Sequence, residues 1–170
     1  MKTSNGGINP GMTWAEACDD PSLQDLPYKV EINRHGQLLL SPVRNGHSFY
    51  QGEIGWRLRE LLPHGKVGVE TAINCEPEGT RVADVTWASA ERFKIIVHEI
   101  SCPIAPEICV EVWSASNSED EMEAKRQLYL AKGALEFWYC NAHGQITHFD
   151  RDGKIPNSKL CPQFPKLIGI

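Results

Sequence analysis

The most apolar strand-like stretch of the chain, residues 107–113 (EICVEVW), contains an acidic residue, Glu111. The stretch is continuously apolar rather than alternating, which predicts a strand buried on both faces of a sheet. A carboxylate inside such a strand is unfavourable unless it is paired with a cation or bound to a metal ion. A strand end that reaches solvent, or an ion pair with an arginine, is the alternative explanation for Glu111.

A second acidic residue, Asp84, lies in the middle of another strand-like stretch, residues 82–88 (VADVTWA). The chain between Asp84 and Glu111 is long enough for their two strands to neighbour each other in one sheet. Two inward carboxylates at such a point repel each other, and a shared cation relieves the repulsion. Mg²⁺ and Mn²⁺ are the ions that prefer such oxygen ligands. Taken alone, an aspartate at such a position is more often a solvated strand residue.

Two further charged residues are candidates for the same site. Lys125 lies on the apolar stripe of a predicted helix, the stripe that includes Tyr129, so its ammonium should face inward. A lysine that extends to solvent, or that pairs with Glu121 one turn earlier, is the alternative. Glu31 shares a strand face with Lys29, and a cross-strand ion pair is its simplest explanation.

Three helices are predicted from apolar periodicity and from capping residues. Ser118 with Glu121, or equally Ser116 with Glu119, forms the capping box that opens the last of them. The predicted helices cover residues 14–19, 47–62 and 118–132.

Strands are predicted where short apolar runs are separated by glycine-containing turns. Residues 89–106 carry no clear pattern. The proline-rich segment from residue 153 onward should be mostly irregular. The predicted strands cover residues 28–33, 37–41, 66–74, 82–88, 107–113, 135–141 and 145–150. The alternation of helices and strand pairs predicts an α/β fold, a mixed β-sheet flanked by helices.

The length of 170 residues and the 41% hydrophobic content predict a single domain at residues 12–170. A glycine-rich, polar segment at residues 1–11 should form a flexible N-terminal arm. The six cysteines include no CxxC pair, which argues against a zinc ribbon. Cys109 and Cys140 lie in apolar runs and should belong to the core.

The sequence shows neither a signal peptide nor an apolar run long enough to span a membrane. We therefore expect a cytoplasmic protein with no membrane partner. The formal net charge of −5 weighs against a protein that coats nucleic acid by charge alone. Any contact with nucleic acid should be local.

A series of sequence segments extends in order over residues 12–165: MTW, VEINRHGQLLLSP followed by His47, VADVTWAS, PEICVEVWSAS, EAKRQLYLAKGALEFWYC and SKLCPQFP. Taken together and in this order, they resemble the Uma-type family of restriction endonucleases within the PD-(D/E)XK nuclease superfamily. Ala83 replaces the proline of the family's PD element, and Ala115 and Asn117 replace residues of its SPSD segment.

The resemblance implies a restriction-endonuclease-like fold and assigns roles to individual residues. Asp84 matches the family's metal-binding aspartate, Glu111 its later glutamate, and Glu31 its early glutamate. The superfamily's lysine usually lies two residues after the glutamate, where this chain has Trp113. The resemblance implies that Lys125, on the following helix, takes its role.

The implied activity is hydrolysis of nucleic-acid phosphodiester bonds by an endonuclease that requires Mg²⁺ or Mn²⁺. Asp84, Glu111 and the backbone carbonyl of Val112 are the implied metal ligands, with Glu31 as an additional one. Lys125 would stabilise the attacking water and the charge that develops on the phosphate.

His47, Arg81 and Arg126 are possible phosphate contacts. For His47, a capping or packing role is the favoured interpretation. DNA is the expected substrate, and a homodimer is expected because an enzyme that cuts both strands commonly works as a symmetric pair.

Two other functions remain open. The chain could be a catalytically inactive nuclease-fold module that binds nucleic acid or protein, since a fold does not fix a function. It could also be a different two-carboxylate enzyme such as a glycoside hydrolase, although nothing in the sequence suggests a sugar cleft and that chemistry needs no divalent metal.

Overall fold

A computed structural model describes residues 11–115 and 117–170, and within these ranges eight strands form one mixed sheet. The strands are β1 (Tyr28–Asn33), β2 (Leu38–Pro42), β3 (Gly65–Asn74), β4 (Gly79–Ser89), β5 (Ile108–Val112), β6 (Glu136–Cys140), β7 (Ile146–Asp150) and β8 (Gly153–Ile155). The helices are α1 (Trp14–Asp19), α2 (Asn45–Leu61), α3 (Ala90–Ile96) and α4 (Glu119–Ala131), with a short 3₁₀ turn at Pro21–Leu23.

The strand order is β2-β1-β4-β5-β6-β7-β8, and β3 pairs with β4. Neighbouring strands are antiparallel except for β5 and β6, which are parallel and are joined through α4. Parallel neighbours need such a crossover, which is usually a helix. The predicted α/β fold, with a mixed sheet flanked by helices, is confirmed.

Strand β5 is buried along its whole length, as its continuous apolar pattern predicts. One core lies between the sheet and α2 and includes Ile54, Val110 and Trp138. The other lies on the α4 side and includes Cys109 and Tyr129. Because both faces of β5 are covered, any charged group on this strand must find its partners inside the protein.

The side chains of β4 change from one core to the other around Asp84. Val85 packs in the core on the α2 side, whereas Ala83 packs in the core on the α4 side. On the paired strand β3, Glu70 adopts a left-handed backbone conformation with φ of 51°, which is uncommon for a residue other than glycine. Asp84 therefore lies where the side chains of β4 switch from one side of the sheet to the other.

The helices differ from the predictions mainly at their ends. α2 begins at Asn45, two residues earlier than predicted, so His47 lies within its first turn. The predicted start of α4 at Ser118 is confirmed, because the Ser118 side chain accepts a hydrogen bond from the Glu121 amide. The alternative start at Ser116 lies outside the described residues.

Two segments contain structure that the sequence pattern did not predict. Residues 89–106, which carried no clear pattern, include α3, and Ser89 caps this helix. The tail was expected to be mostly irregular, but Gly153–Ile155 pairs with β7 as β8. Residues 1–10 of the predicted arm lie outside the described residues, while the backbone of Gly11 packs so closely on Gly36 that neither glycine leaves room for a Cβ.

A buried glutamate fixes the C-terminal tail to the sheet. One carboxylate oxygen of Glu136 accepts hydrogen bonds from the backbone amides of Lys159 and Leu160, at 2.7 and 2.9 Å. Its other oxygen accepts one from the Trp138 indole at 2.7 Å. These hydrogen bonds satisfy the carboxylate of Glu136, a residue that is 1% exposed, and they hold the C-terminal tail in place.

We predict that His148 makes the fold less stable in mildly acidic solution. His148 is buried against Trp138, its Nε2 has no hydrogen-bond partner among the residues that the structure describes, and burial lowers its pKa. A histidine whose folded pKa is lowered takes up its proton more readily when unfolded, so stability is lost as pH falls below about 6.5. Thermal unfolding measured across this range should therefore show a smaller loss for His148→Gln than for the wild type. An equal loss in both proteins would contradict the prediction.

Candidate active site

Three carboxylates and two lysines form one buried cluster between β1, β4, β5 and α4. Glu31, Asp84, Glu111 and Lys125 are each no more than 3% exposed, and the Lys29 side chain is 10% exposed. The sequence pattern predicted that Asp84 and Glu111 lie together, and the structure brings them together. Glu31 and Lys125, the two further candidates for this site, join the same cluster.

Asp84 and Glu111 are neighbours because of the strand register. β4 and β5 pair in the order Val85 to Val110 and Thr86 to Cys109, which brings the next residues, Asp84 and Glu111, side by side. The backbone amide of Val112 donates a hydrogen bond to Asp84 Oδ2 at 2.7 Å. This hydrogen bond fixes the Asp84 carboxylate next to β5, where it can share a cation with Glu111.

Each lysine bridges two carboxylates. Lys29 Nζ lies 2.6 Å from Asp84 Oδ1 and 3.5 Å from Glu111 Oε2. Lys125 Nζ lies 3.0 Å from Glu31 Oε1 and 3.2 Å from Glu111 Oε2. Glu111 therefore stands between two ammonium groups, and neither alternative interpretation of Lys125, extension to solvent or a pair with Glu121, is found.

The lysines and burial move the pKa values of the carboxyl groups in different directions. Burial raises the pKa of Asp84, but Lys29 and His47 outweigh it and hold this pKa well below its usual range. Burial is likewise outweighed at Glu31, where Lys125 and Lys29 lower the pKa. At Glu111 burial dominates, and the pKa is raised. Glu111 is thus the carboxyl group whose charge an additional cation would stabilise most.

Both buried lysines remain charged. Burial disfavours their ammonium groups, but the surrounding carboxylates outweigh it and raise the pKa of Lys29 and of Lys125. The cluster thus contains three acidic groups against two ammonium groups. With all three carboxyl groups ionised, such a site is net negative and attracts a further cation.

Neighbouring side chains orient the cluster. The Tyr129 hydroxyl donates to Glu111 Oε1 at 2.7 Å, and His47 Nε2 lies 3.1 Å from Asp84 Oδ2. The Gln51 amide donates to the backbone carbonyl of Asp84 at 3.4 Å. Of the capping or packing role favoured for His47, capping is not found, because Arg44 is the N-cap residue of α2; the largely buried His47 side chain instead contacts Asp84.

The roles of Lys29, Tyr129 and Gln51 were not predicted from the sequence. Lys29 and Glu31 alternate on β1, so the strand pattern placed Lys29 near the site but did not identify its partners. Tyr129 follows Lys125 by one helical turn on the same stripe of α4, and this spacing could have identified it. Gln51 follows His47 in the same way on α2.

The two arginines proposed as phosphate contacts already have partners within the chain. Arg81 Nη1 donates to the carbonyl of Ile32 at 2.5 Å, and Arg126 pairs with Glu123 one turn earlier on α4. Of the three residues predicted to contact phosphate, only His47 lines the cavity of the cluster. Its Nδ1 is buried without a hydrogen-bond partner.

A small cavity of about 30 Å³ adjoins the charged groups and opens to the surface. Its volume suits one or two waters. The charged and polar residues that line it are Lys29, Ser41, His47, Glu70, Asp84, Glu111, Ser114, Asn117 and Lys125.

The residues of this cluster fit a divalent metal ion. Asp84 and Glu111 provide oxygen ligands, and the Lys29 ammonium already bridges them as a stand-in cation. Within residues 11–115 and 117–170, no group of three or more His, Cys, Asp or Glu residues is arranged to hold a metal. A divalent ion such as Mg²⁺ usually takes only one or two carboxylates and completes its shell with water and substrate phosphate, so two carboxylates are enough to hold one.

Comparisons with known proteins agree with this fold. Among solved structures, the chain is similar to a protein from Anabaena variabilis ATCC 29413 described as "a putative nuclease belonging to DUF820", with a TM-score of 0.67 and 15% identity over 91% of this chain and 82% of that chain. At this identity, the likeness shows the fold alone. A comparison with curated proteins gave no match.

None of the helices in the described part of the chain is long and apolar enough to cross a membrane. The model of the Uma2 family, described as "Putative restriction endonuclease", matches residues 20–166 and so covers most of the sequence. The chain therefore belongs to the Uma2 family of restriction-endonuclease-like proteins.

Proposed function

We propose that this chain is a metal-dependent endonuclease that hydrolyses phosphodiester bonds in DNA and uses Mg²⁺ or Mn²⁺. The observation that carries the proposal is the single ammonium group of Lys29, which bridges Asp84 and Glu111 inside a buried, net negative cluster. A divalent ion in the same position would neutralise the two carboxylates more completely than one lysine does. Membership of the Uma2 family supports the same chemistry.

Asp84 and Glu111 are the proposed ligands of the ion. When bound, such an ion supplies Lewis-acid activation of water and neutralises charge on the phosphate. Glu31 and the carbonyl of Val112 remain additional proposed ligands. The present contacts of Glu31, with the Val82 amide at 2.7 Å and with Lys125, favour a role in holding the lysine.

Lys125 is the proposed source of positive charge for the transition state. Its ammonium adjoins Glu111 and lines the cavity, and it is charged. In phosphoryl transfer the protein contributes mainly by positioning and by electrostatic stabilisation, so a fixed ammonium at this point would stabilise the phosphate as negative charge develops. Tyr129 keeps Glu111 oriented toward the lysine through its hydrogen bond.

We further propose that the enzyme acts as a homodimer in the cytoplasm, with residues 12–170 as its single domain. The dimer is proposed because an enzyme that cuts both strands commonly works as a symmetric pair. His47 remains the proposed phosphate contact, since it lines the cavity and lies in the first turn of α2, where the helix dipole favours an anion. Arg81 and Arg126 would have to leave their present partners to take this role.

A second candidate function is a catalytically inactive module that binds nucleic acid or protein. The observation in its favour is again Lys29, because an ammonium that already pairs with Asp84 and Glu111 can stabilise the fold without any metal. The two functions predict different Mg²⁺ affinities for a variant without Lys29. The affinity should rise in a metal-dependent endonuclease and should not rise in an inactive module.

Replacement of Glu111 by glutamine should abolish cleavage without unfolding the protein. Glu111→Gln keeps the size of the side chain, and its one amide oxygen can still accept a hydrogen bond from Lys125 or from Tyr129, but it removes a charged ligand of the ion. We expect Mg²⁺-dependent cleavage of plasmid DNA to fall by about 10²-fold or more, the scale of losing one electrostatic contact with a transition state. Circular dichroism should show the same fold in both proteins.

Glu60→Gln, at an exposed position on α2, is the matched control and should cleave like the wild type. Full activity of Glu111→Gln would contradict the proposed active site.

Replacement of Lys29 by methionine should strengthen metal binding. The change removes the ammonium that competes for Asp84 and Glu111, and a unit charge about 4 Å away is worth about 4 kcal/mol at an effective dielectric constant of 20. We expect Mg²⁺ affinity, measured by isothermal titration, to rise about tenfold or more. Without metal the variant should be less stable, since a buried ion pair that loses one partner destabilises a protein by about 3–5 kcal/mol.

Lys125→Met is the informative comparison, because it removes the same charge from the cluster but leaves Lys29 between Asp84 and Glu111. Its Mg²⁺ affinity should rise less than that of Lys29→Met. If Lys29→Met binds Mg²⁺ no better than the wild type, the inactive module becomes the better description.

A further inference from the structure

An aromatic groove of about 270 Å³ lies beside the carboxylate cluster. Trp113, Tyr139 and Phe149 form its aromatic walls, and Arg126 and Asn117 lie on its rim. Trp113 remains 38% exposed although it directly follows the buried strand β5. Its ring therefore contributes to an accessible surface and is not part of the core.

The groove adjoins the proposed active site on the same face of the sheet. Trp113 follows Glu111 by two residues and lies directly after the end of β5. Glu111 is also the register partner of Tyr139 on β6, and adjacent strands lie about 4.8 Å apart. Asn117 lines both the groove and the cavity of the cluster. A ligand in the groove would thus lie about one strand away from the reacting phosphate.

The shape and chemistry of the groove suit one flat ring. Its volume is below the roughly 300–1,000 Å³ that is typical of pockets for drug-sized ligands. The Arg126 guanidinium already lies over the Phe149 ring, 5.4 Å from its centroid, so this wall carries a cation on an aromatic face. Nucleobases stack on aromatic side chains and on arginine in this way.

The charges around the groove favour a base over a phosphate. Glu119 and Glu123 also line it, Arg126 is paired with Glu123, and the whole chain has a net charge of −5. A phosphate at this position would be repelled by the glutamates. An uncharged base would not be repelled, and carboxylates can accept hydrogen bonds from its exocyclic amino groups.

We infer that this groove holds one unpaired nucleobase of the substrate, next to the phosphate that is cleaved. The inference rests on the proposed function and narrows its substrate to single-stranded or locally opened nucleic acid. A base inside a duplex must leave its stack to reach such a pocket. Trp113 is the residue on which the base stacks.

The test compares Trp113→Ala with the matched control Trp56→Ala, which removes an exposed tryptophan of α2 outside the groove. A fluorescently labelled oligodeoxynucleotide of cytosine and adenine, whose bases carry exocyclic amino groups, and the same strand paired in a duplex, are titrated with each protein in EDTA so that no cleavage occurs. The wild type and Trp56→Ala should bind the single strand more tightly than the duplex. Trp113→Ala should bind the single strand roughly 5- to 150-fold more weakly, the effect of losing one stacked base, and Trp113→Phe should recover most of the loss.

Unchanged single-strand binding by Trp113→Ala, in a protein that still cleaves DNA with Mg²⁺, would overturn this inference alone. Absence of both binding and cleavage in the wild type would overturn the proposed function as well. If a tryptophan-containing peptide binds in the groove and the oligonucleotide does not displace it, the groove belongs to a protein partner. That result would refute the inference that the groove holds a nucleobase.

Discussion

The structure depends on the pairing of buried charges around Glu111. A carboxylate that is fully enclosed by a sheet and a helix can be accommodated only if cations reach it, and Lys29 and Lys125 approach it from two different elements. Their ammonium groups connect β1, β4, β5 and α4 through a single cluster. Removal of any one charge leaves its partners unpaired in an environment where water cannot compensate.

The fold brings these charges together by ordinary strand geometry. The register of β4 and β5 brings Asp84 beside Glu111, and the crossover through α4 brings Lys125 back over the same strand. Asp84 also lies where the side chains of β4 change sides, opposite the left-handed Glu70. Backbone strain of this kind tends to collect at functional sites, which is consistent with a role for this end of the strand pair.

Much of this arrangement could be predicted from the sequence. An acidic residue inside an apolar strand already requires a partner, and a second one at strand-to-strand distance along the chain indicated that Asp84 and Glu111 meet. Apolar periodicity also located α2 and α4 and showed that Lys125 faces inward. The partners of Lys29 could not be predicted, because alternation along β1 gives the face of a side chain but not which distant strand lies opposite. α3 was missed because it is short and has no buried residue that would produce a periodic pattern.

The central claim is that Lys29 occupies the position of a divalent ion between two carboxylates. A crystal structure of the protein grown with Mn²⁺, with anomalous scattering measured at the manganese edge, tests it most directly. We expect an anomalous peak in contact with both Asp84 and Glu111. The Lys29 ammonium should have moved away from that point. A map without manganese there, with Lys29 still bridging the two carboxylates at saturating Mn²⁺, would contradict it.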